Sequence, residues 1–410
     1  MRGYLSFLRA DRRWLLGCFA LFLFCSFGHT FFVSLFSADI RESLGLSHGQ
    51  FGSLFTVATL AGALALAQLG KVVDRHPAGR VVPALMLMLA AGAVALALAT
   101  NVWVLLLALF LLRLFGQGML SHTSFTLAGR WFDRERGRAT SVATLGLNTA
   151  EALFPLAVVA VLAVVGWREA WWLVAGALVL LAWPMSVLVR RERAPLRAAG
   201  ERPTAPARSW TRNQTLRDPY FFLLLTAMAA PALIGNTVFF HQAHLAELRG
   251  WPPALSASAF SVYAAVTVAA NLAGGVLVDR VTGLRLVPCF LLPLGAGLLV
   301  LAVVEGPWSM LVFMALYGVT NGLSLSLIGT VWPEVYGVAH LGAIRSNIVV
   351  VLVLASAAGP GAAGLLIDAG VGYPSQVAAL GAYCLLASAA ALWFVPRIRA
   401  RLRLERRPAV

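Results

Sequence analysis

The stretch Gly70-Lys-Val-Val-Asp74-Arg75 recurs 205 residues later as Gly275-Val-Leu-Val-Asp279-Arg280, an offset that is half of the 410-residue chain. Arg80 and Arg285 match at the same offset. Each copy stands between long apolar segments and is predicted to be a short charged turn between helices. The spacing therefore predicts that the chain is an internal duplication of one helical bundle.

The composition indicates a bilayer as the solvent of most of the chain. Hydrophobic residues make up 60% of it and charged residues 12%, whereas a soluble domain carries about 25% charged residues. The mean hydropathy is +0.82. The net charge of +15 comes from basic residues clustered between apolar runs, so the sequence does not predict nucleic acid as a partner.

Twelve apolar runs approach the length of about 20 residues that a membrane-spanning helix needs. They lie near 14–39, 49–70, 81–99, 102–128, 139–165, 171–189, 220–246, 254–278, 284–303, 308–332, 343–366 and 374–395. Gly and Pro between the runs are typical of helix ends. The predicted fold class is an all-α integral membrane protein with twelve transmembrane helices in two pseudo-symmetric six-helix bundles.

The distribution of basic residues predicts the orientation. With the N-terminus inside, 28 of the 32 basic residues face the cytoplasm, as the positive-inside rule requires. Both termini are then cytoplasmic, and the predicted location is the bacterial inner membrane. The domains are an N-terminal half at 1–192, a basic linker at 193–218, a C-terminal half at 219–396 and a tail at 397–410. The arginine-rich linker and tail are expected to bind anionic lipid headgroups, with a regulatory partner as the alternative.

The two repeated stretches resemble the signature loop of the major facilitator superfamily, and the resemblance covers the whole chain. It implies the major facilitator fold and transport of a small solute by alternating access. It also implies that the loops control the conformational change. On this resemblance the gating residues are Gly70, Asp74, Arg75, Arg80, Asp279 and Arg280.

Other patches resemble the monocarboxylate transporter and oxalate/formate antiporter group. They include Arg130-Trp131-Phe132, Gly166-Trp167-Arg168 and Gly359-Pro360-Gly361. The resemblance implies a basic residue in the first span and a charged pair in the eighth as the proton and carboxylate site. Here the first run has no Lys or Arg and the eighth has no charge.

Two charged residues fall near the middle of predicted spans, where charges are costly and usually functional. Counted at 1.5 Å per residue, Arg113 lies roughly 25 Å and Glu151 roughly 20 Å from the inner ends of their spans. Side chains on adjacent helices could meet at these depths. One interpretation is a structural ion pair. The other is that Arg113 binds an anionic group of the solute while Glu151 takes up and releases a proton.

Polar residues at comparable depth extend the predicted site. They lie on helices that line the cavity in the resembled fold, and they are His29, Asn236, His241, Tyr317 and Asn321. For each, the alternative is a hydrogen-bonded packing residue.

The predicted function is secondary active transport of a small solute, favouring an organic anion and coupling to protons. The alternatives are a proton-driven exporter of amphipathic compounds and, from another class, a non-transporting membrane receptor or scaffold. No enzyme motif is recognised, and the four cysteines have no metal-ligand spacing, so neither enzymatic activity nor a cofactor or metal is predicted. The expected oligomeric state is a monomer.

Overall fold

The structure is a computed structural model that describes residues 7–132, 136–191, 209–337 and 340–405. These residues form helices joined by turns and short irregular segments, and none of them forms a strand. The chain divides into two compact units. Unit 1 comprises Met1–Glu201 and Phe239–His244, and unit 2 comprises Arg202–Val238 and Leu245–Val410. Most of the predicted linker at 193–218 lies outside the described residues.

The helices of the first half include a break in the first span and a π-helical segment in the fourth. They are α1 Arg12–Cys25, a 3-10 turn Ser26–Gly28, α2 Thr30–Ser34, α3 Ser37–Leu44, α4 His48–Leu69, α5 Lys71–Arg75, α6 Ala78–Ala97, α7 Val102–Leu111, the π segment Leu112–Leu120, α8 Ser121–Trp131, α9 Arg136–Leu162 and α10 Trp167–Val189. A capping box formed by Ser47 and Gln50 starts α4, which satisfies two backbone N–H groups at the helix start.

The helices of the second half are longer and less often broken. They are α11 Arg212–Thr215, α12 Pro219–Leu248, α13 Pro253–Val281, α14 Gly283–Leu286, α15 Leu292–Val303, α16 Trp308–Tyr336, α17 Leu341–Asp368 and α18 Tyr373–Glu405. Helix α18 therefore continues past residue 396 into the segment predicted as a tail. No residue after Pro396 up to Glu405 interrupts the helix.

Eleven segments among the described residues are long and apolar enough to cross a membrane. The ninth predicted span, near 284–303, is instead divided into α14 and the short helix α15. Pro288 and Pro293 remove two backbone donors from this run. The Thr320 hydroxyl bridges part of the gap, because it accepts a hydrogen bond from the Leu294 N–H at 3.1 Å and donates one to the Phe290 carbonyl at 3.0 Å.

The same helix pairing occurs inside both units. In unit 1 the third span, α6, packs on the sixth, α10, and α4 packs on α7 and the π segment. In unit 2 the ninth span, α15, packs on the twelfth, α18, and the eighth, α13, packs on the tenth, α16. Each unit therefore repeats one scheme of helix contacts, as an internal duplication requires.

The repeated charged stretches are helical, which corrects the prediction of turns at these residues. Lys71–Arg75 forms α5, and Asp279 and Arg280 belong to the last turns of α13. The first chain reversal comes only at His76, which is extended at φ −124° and ψ 150°, because the next residue is Pro77. The second comes at Thr282, the one described non-glycine residue with positive φ, at 77°.

Candidate functional site

The first span is interrupted halfway. Helix α1 ends at Cys25, a 3-10 turn follows, and His29 is extended at φ −78° and ψ 153° before α2 begins. The His29 carbonyl accepts hydrogen bonds from the Phe32 and Val33 N–H groups, so the Gly28 carbonyl has no helical donor. Broken helices at membrane depth are tolerated where protein or a cavity surrounds them, and they mark the solute site in several transporter folds.

Arg113 supplies the donor that the broken span lacks. Its Nη1 donates to the Gly28 carbonyl oxygen at 3.0 Å and to Thr30 Oγ1 at 3.3 Å, and its Nε donates to Thr59 Oγ1 at 2.9 Å. The guanidinium carbon also lies 4.8 Å from the centre of the Phe55 ring. The side chain is only 4% exposed. Arg113 is therefore bound by neutral groups, and no described residue accepts a hydrogen bond from its Nη2.

The backbone of the fourth span approaches this break closely. Arg113 and Gly116 lie in the π segment, and a Cβ added to Gly116 would lie 2.7 Å from the Cα of Gly28. Only glycine at both positions permits such a contact. A π-helical turn places a side chain off the regular helical position and is frequent at functional sites.

Glu151 lies on the other side of the first span. It belongs to α9, which packs on α1, and it is 7% exposed. Among the described residues it has neither a hydrogen bond nor an ion pair. It is close enough to the Cys25 thiol to act on it electrostatically.

Cys25 and His29 lie between the two charged residues. Cys25 Sγ is 3.5 Å from His29 Nε2, and Arg113 acts electrostatically on His29. The expected contact between Arg113 and Glu151 is therefore absent from the described structure. The depth of a residue along its span gives the level of its side chain in the membrane but not the direction in which that side chain points. Here the first span separates the side chains of Arg113 and Glu151.

An aromatic wall adjoins Glu151. Phe154 is three residues further along α9, hence on the same face, and its ring stacks on Phe27 at 5.0 Å. Phe32 packs against Phe154 at 5.9 Å and against Trp171 at 5.5 Å. We call Phe27, Phe32, Phe154 and Trp171 the aromatic wall. The candidate site in unit 1 thus combines two charges with an apolar surface.

Unit 2 contains a second polar cluster, which includes two predicted site residues. The Tyr317 hydroxyl donates to the Pro231 carbonyl at 3.1 Å, and its ring stacks on Tyr263 at 5.0 Å. Asn321 Nδ2 donates to the Tyr263 hydroxyl at 2.8 Å. Tyr263 was missed by the sequence analysis, although a tyrosine in the eighth span is a visible signal. Asn236 donates to the Ala232 carbonyl of its own helix at 2.9 Å.

His241 belongs to unit 1 and not to this cluster. Its ring centre lies 6.0 Å from that of His48 and 5.1 Å from that of Phe240. The seven predicted site residues are thus distributed over both units. Arg113, His29 and Glu151 form one group, and Tyr317 and Asn321 form another.

The predicted gating residues lie at the ends of their helices. Asp74 is 3.6 Å from Arg130 Nη2, and this same nitrogen donates to the Val73 carbonyl at 2.8 Å. The side chain of Asp74 is 66% exposed. Gly70 joins α4 to α5 in a helical conformation, and Arg75, Arg80 and Arg280 are exposed. The side chain of Asp279 lies outside the described part of the structure.

A buried ion pair in unit 2 was also missed by the sequence analysis. Arg401 Nη1 and the Tyr336 hydroxyl each lie 2.9 Å from Asp218 Oδ2, and Asp218 also accepts from the Tyr220 N–H at the start of α12. The Arg401 guanidinium lies 4.7 Å from the Trp210 ring. The Asp-Pro pair that begins α12 signals a helix cap, but nothing in the sequence links it to residue 401.

The family model of the Major Facilitator Superfamily matches residues 18–285 and 236–408 of the chain. The chain belongs to the major facilitator superfamily. It is a multi-pass membrane protein of a transporter family. No curated protein is similar enough to the chain to count as a match. The resemblance to the monocarboxylate transporter group is not tested by these matches and stays a prediction.

Several solved transporters share the fold of this superfamily member. One is a bacterial homolog of the human lysosomal transporter Spinster in an inward-facing, unoccupied conformation, at 15% identity over 99% of this chain and 97% of that chain with a TM-score of 0.65. A peptide transporter, POT, is 16% identical over 95% of each chain with a TM-score of 0.72. The nucleoside transporter NupG is 15% identical over 93% of this chain and 98% of that chain with a TM-score of 0.63. At these identities the likeness shows a common fold alone.

Proposed function

We propose that the protein is a secondary active transporter that moves a small organic anion across the bacterial inner membrane by alternating access, coupled to protons. The observation that carries the proposal is a pair of buried, oppositely charged residues, Arg113 and Glu151, that do not neutralise each other. In this proposal Arg113 binds the anionic group of the solute and Glu151 carries the proton.

The hydrogen bonds of Arg113 favour the first role. A buried guanidinium is costly without a countercharge, and every acceptor that the described residues offer it is neutral. Nη2 retains two N–H groups for a ligand, and the planar guanidinium suits a carboxylate. The solute anion supplies the countercharge.

The surroundings of Glu151 favour the second role. Its carboxyl group has no hydrogen-bond donor among the described residues, so a proton is its simplest partner. A solute anion bound at Arg113 and an ionised Glu151 repel each other. Solute and proton therefore bind together more readily than either binds alone, which is the requirement for symport.

A second candidate is a proton-driven exporter of amphipathic compounds. The aromatic wall beside Glu151 favours it, because stacked aromatic side chains bind large apolar groups. In that case the aromatic wall, and not Arg113, determines affinity.

The test begins with a thermal-shift screen of the purified protein against small carboxylates and amphipathic compounds, since a ligand of the folded state raises its stability. Hits are then measured in reconstituted vesicles. Arg113→Met should lose binding, whereas Glu151→Gln should keep binding and counterflow exchange but lose uptake driven by a pH gradient. Glu247→Gln, an exposed acid at the end of α12, is the control. Wild-type binding by Arg113→Met, with loss of binding in Phe154→Ala, would favour the exporter instead.

We also infer that the protein works as a monomer with both termini in the cytoplasm and with its arginine-rich linker and tail against anionic headgroups. The positive-inside asymmetry supports this orientation. A reporter fused after Leu404 should give a cytoplasmic signal, and reporters after Glu42 and Arg249 should give periplasmic ones. A periplasmic signal after Leu404 would reverse the topology.

A further inference from the structure

An open groove lies in unit 1 where α1 begins and α10 ends. Its volume is about 500 Å³, and Arg13, Trp183, Pro184, Val187 and Leu188 line it. Both helices are candidate spans that begin or end at this level. The groove therefore lies at one boundary of the membrane, outside the site that contains Arg113 and Glu151.

Arg13 is fixed in this groove by the end of α10. Its Nε donates to the Leu188 carbonyl at 2.9 Å, and its Nη2 donates to the Val187 carbonyl. Trp14 Nε1 donates to the Arg191 carbonyl at 2.9 Å, which joins the same two helix ends. Both acceptors of Arg13 are neutral, so its positive charge has no countercharge among the described residues.

The charge around the groove is positive. The lining contains one arginine and no acid, and Arg12, Arg190 and Arg191 are exposed on the adjoining helix ends. The neighbouring acid in sequence, Asp11, is buried. This charge favours an anionic ligand, and clustered arginines at a membrane boundary attract anionic headgroups.

The other side of the groove is apolar and faces outward. Trp183 is 73% exposed, and Leu180, about one turn earlier on α10, is 76% exposed. Tryptophan is enriched at the level of lipid headgroups, and an exposed leucine below it in a span contacts acyl chains. A ligand that meets both sides carries an anionic head and an apolar tail.

We propose that this groove binds one anionic phospholipid. The phosphodiester binds Arg13, Trp183 packs against the glycerol region, and an acyl chain lies along α10 over Leu180. A free phosphate ion offers the same charge to Arg13 but makes no use of Trp183 or Leu180.

Native mass spectrometry of the full chain in detergent, titrated with phosphatidylglycerol or phosphatidylcholine, tests the proposal. Arg13→Gln should weaken binding of the first phosphatidylglycerol about fivefold, the factor expected for one arginine at an anionic lipid surface. Arg12→Gln removes the same charge from the adjacent, exposed position and should weaken it less. Equal effects of the two variants, or equal binding of the two lipids, would overturn the site.

A second variant keeps the test decisive if Arg13→Gln fails to fold after losing its bonds to α10. Trp183→Leu should also weaken phosphatidylglycerol binding, whereas Trp103→Leu should not, because Trp103 is 78% exposed at the opposite end of the same helical bundle. Inorganic phosphate should leave the thermal stability of the wild type unchanged at concentrations where the lipid raises it. Stabilisation by phosphate, or unchanged lipid binding in Trp183→Leu, would contradict a phospholipid site.

Discussion

Arg113 in the fourth span donates a hydrogen bond from Nη1 to the Gly28 carbonyl oxygen in the first span at 3.0 Å. The break at His29 leaves the Gly28 carbonyl without a helical donor, and the bond from Arg113 satisfies this carbonyl. The bond also places a buried positive charge at the break. An anion that binds Arg113 competes with the Gly28 carbonyl for the guanidinium. Solute binding and the geometry of the first span are therefore linked through a single side chain.

The first prediction concerns the stability that this bond provides. Arg113→Met leaves the Gly28 carbonyl buried without a donor, and we expect a loss of about 1 to 3 kcal/mol. Arg113→Lys retains a donor and a charge and should lose less. The measurement is the unfolding midpoint of purified protein in detergent. Thr59→Val is the matched control, because it removes the acceptor of Nε and the hydroxyl's own bond to the Phe55 carbonyl but leaves the Gly28 bond in place. A greater loss for Thr59→Val than for Arg113→Met would contradict the role of the Gly28 bond.

The second prediction follows from the separation of Arg113 and Glu151. Removing one partner of a buried ion pair costs about 3 to 5 kcal/mol, and removing both recovers much of the loss. Because no ion pair joins these residues in the described structure, adding Glu151→Gln to Arg113→Met should not restore the folded yield. The two losses should add to within about 0.5 kcal/mol in a double-mutant cycle. A double variant as stable as the wild type would indicate a structural pair.

The sequence was sufficient to predict the fold class because each helix in a bilayer must be long and apolar. This requirement sets the length of the apolar runs. It also confines most charged residues to the segments between the runs, where the repeated Asp-Arg stretches and the basic clusters lie. The helical conformation of Lys71–Arg75 could not be predicted from the sequence, because a short charged segment between two apolar runs has the composition of a turn. The division of the ninth span was signalled by Pro288 and Pro293 but was hidden by the apolar residues around them.

Arg113 and Glu151 stood out in the sequence because charges in a span are rare, and the structure buries both side chains. Their role in a solute site stays a prediction, and the residues that contact them could not be predicted. The break at Ser26-Phe-Gly-His29 lies in a run that is apolar on average, so the mean hydropathy of the run gives no sign of the break. The direction in which a side chain points from its helix depends on how that helix packs against its neighbours. The contact of Gly28 with Gly116 is an example of such packing.

The third prediction tests that close contact. Gly116→Ala would place its Cβ 2.7 Å from the Gly28 Cα and 2.8 Å from its backbone nitrogen, and neither backbone atom can rotate away. We expect a loss of about 1 to 3 kcal/mol from overpacking. Gly176→Ala in α10 meets no atom within 4 Å and should gain roughly 0.5 to 1 kcal/mol from the higher helix propensity of alanine. Unfolding midpoints compare the two, and equal shifts would rule out the contact.

The fourth prediction concerns the repeated charged stretches. Asp74→Asn removes the ion pair with Arg130, but because the Asp74 side chain is 66% exposed the stability should change by less than about 1 kcal/mol. The transport rate should fall, since the resemblance assigns these stretches to conformational control. Asp279→Asn should slow transport less. The measurement is the rate of solute uptake into vesicles that contain equal amounts of each variant. A wild-type rate for Asp74→Asn would limit this residue to a topological role.

The last prediction concerns the ion pair between Arg401 and Asp218, which joins the end of α18 to the start of α12 and, through Tyr336, to the end of α16. The Asp218 side chain is 3% exposed, so Arg401→Gln leaves a buried carboxylate with only Tyr336 and its own helix start as donors. We expect a loss of about 3 to 5 kcal/mol, with a much smaller loss for Asp218→Asn combined with Arg401→Gln. Arg403→Gln, an exposed arginine two residues later, should be neutral. Unfolding midpoints in detergent provide the comparison. If Arg401→Gln and Arg403→Gln behave alike, the ion pair with Asp218 contributes no stability to unit 2.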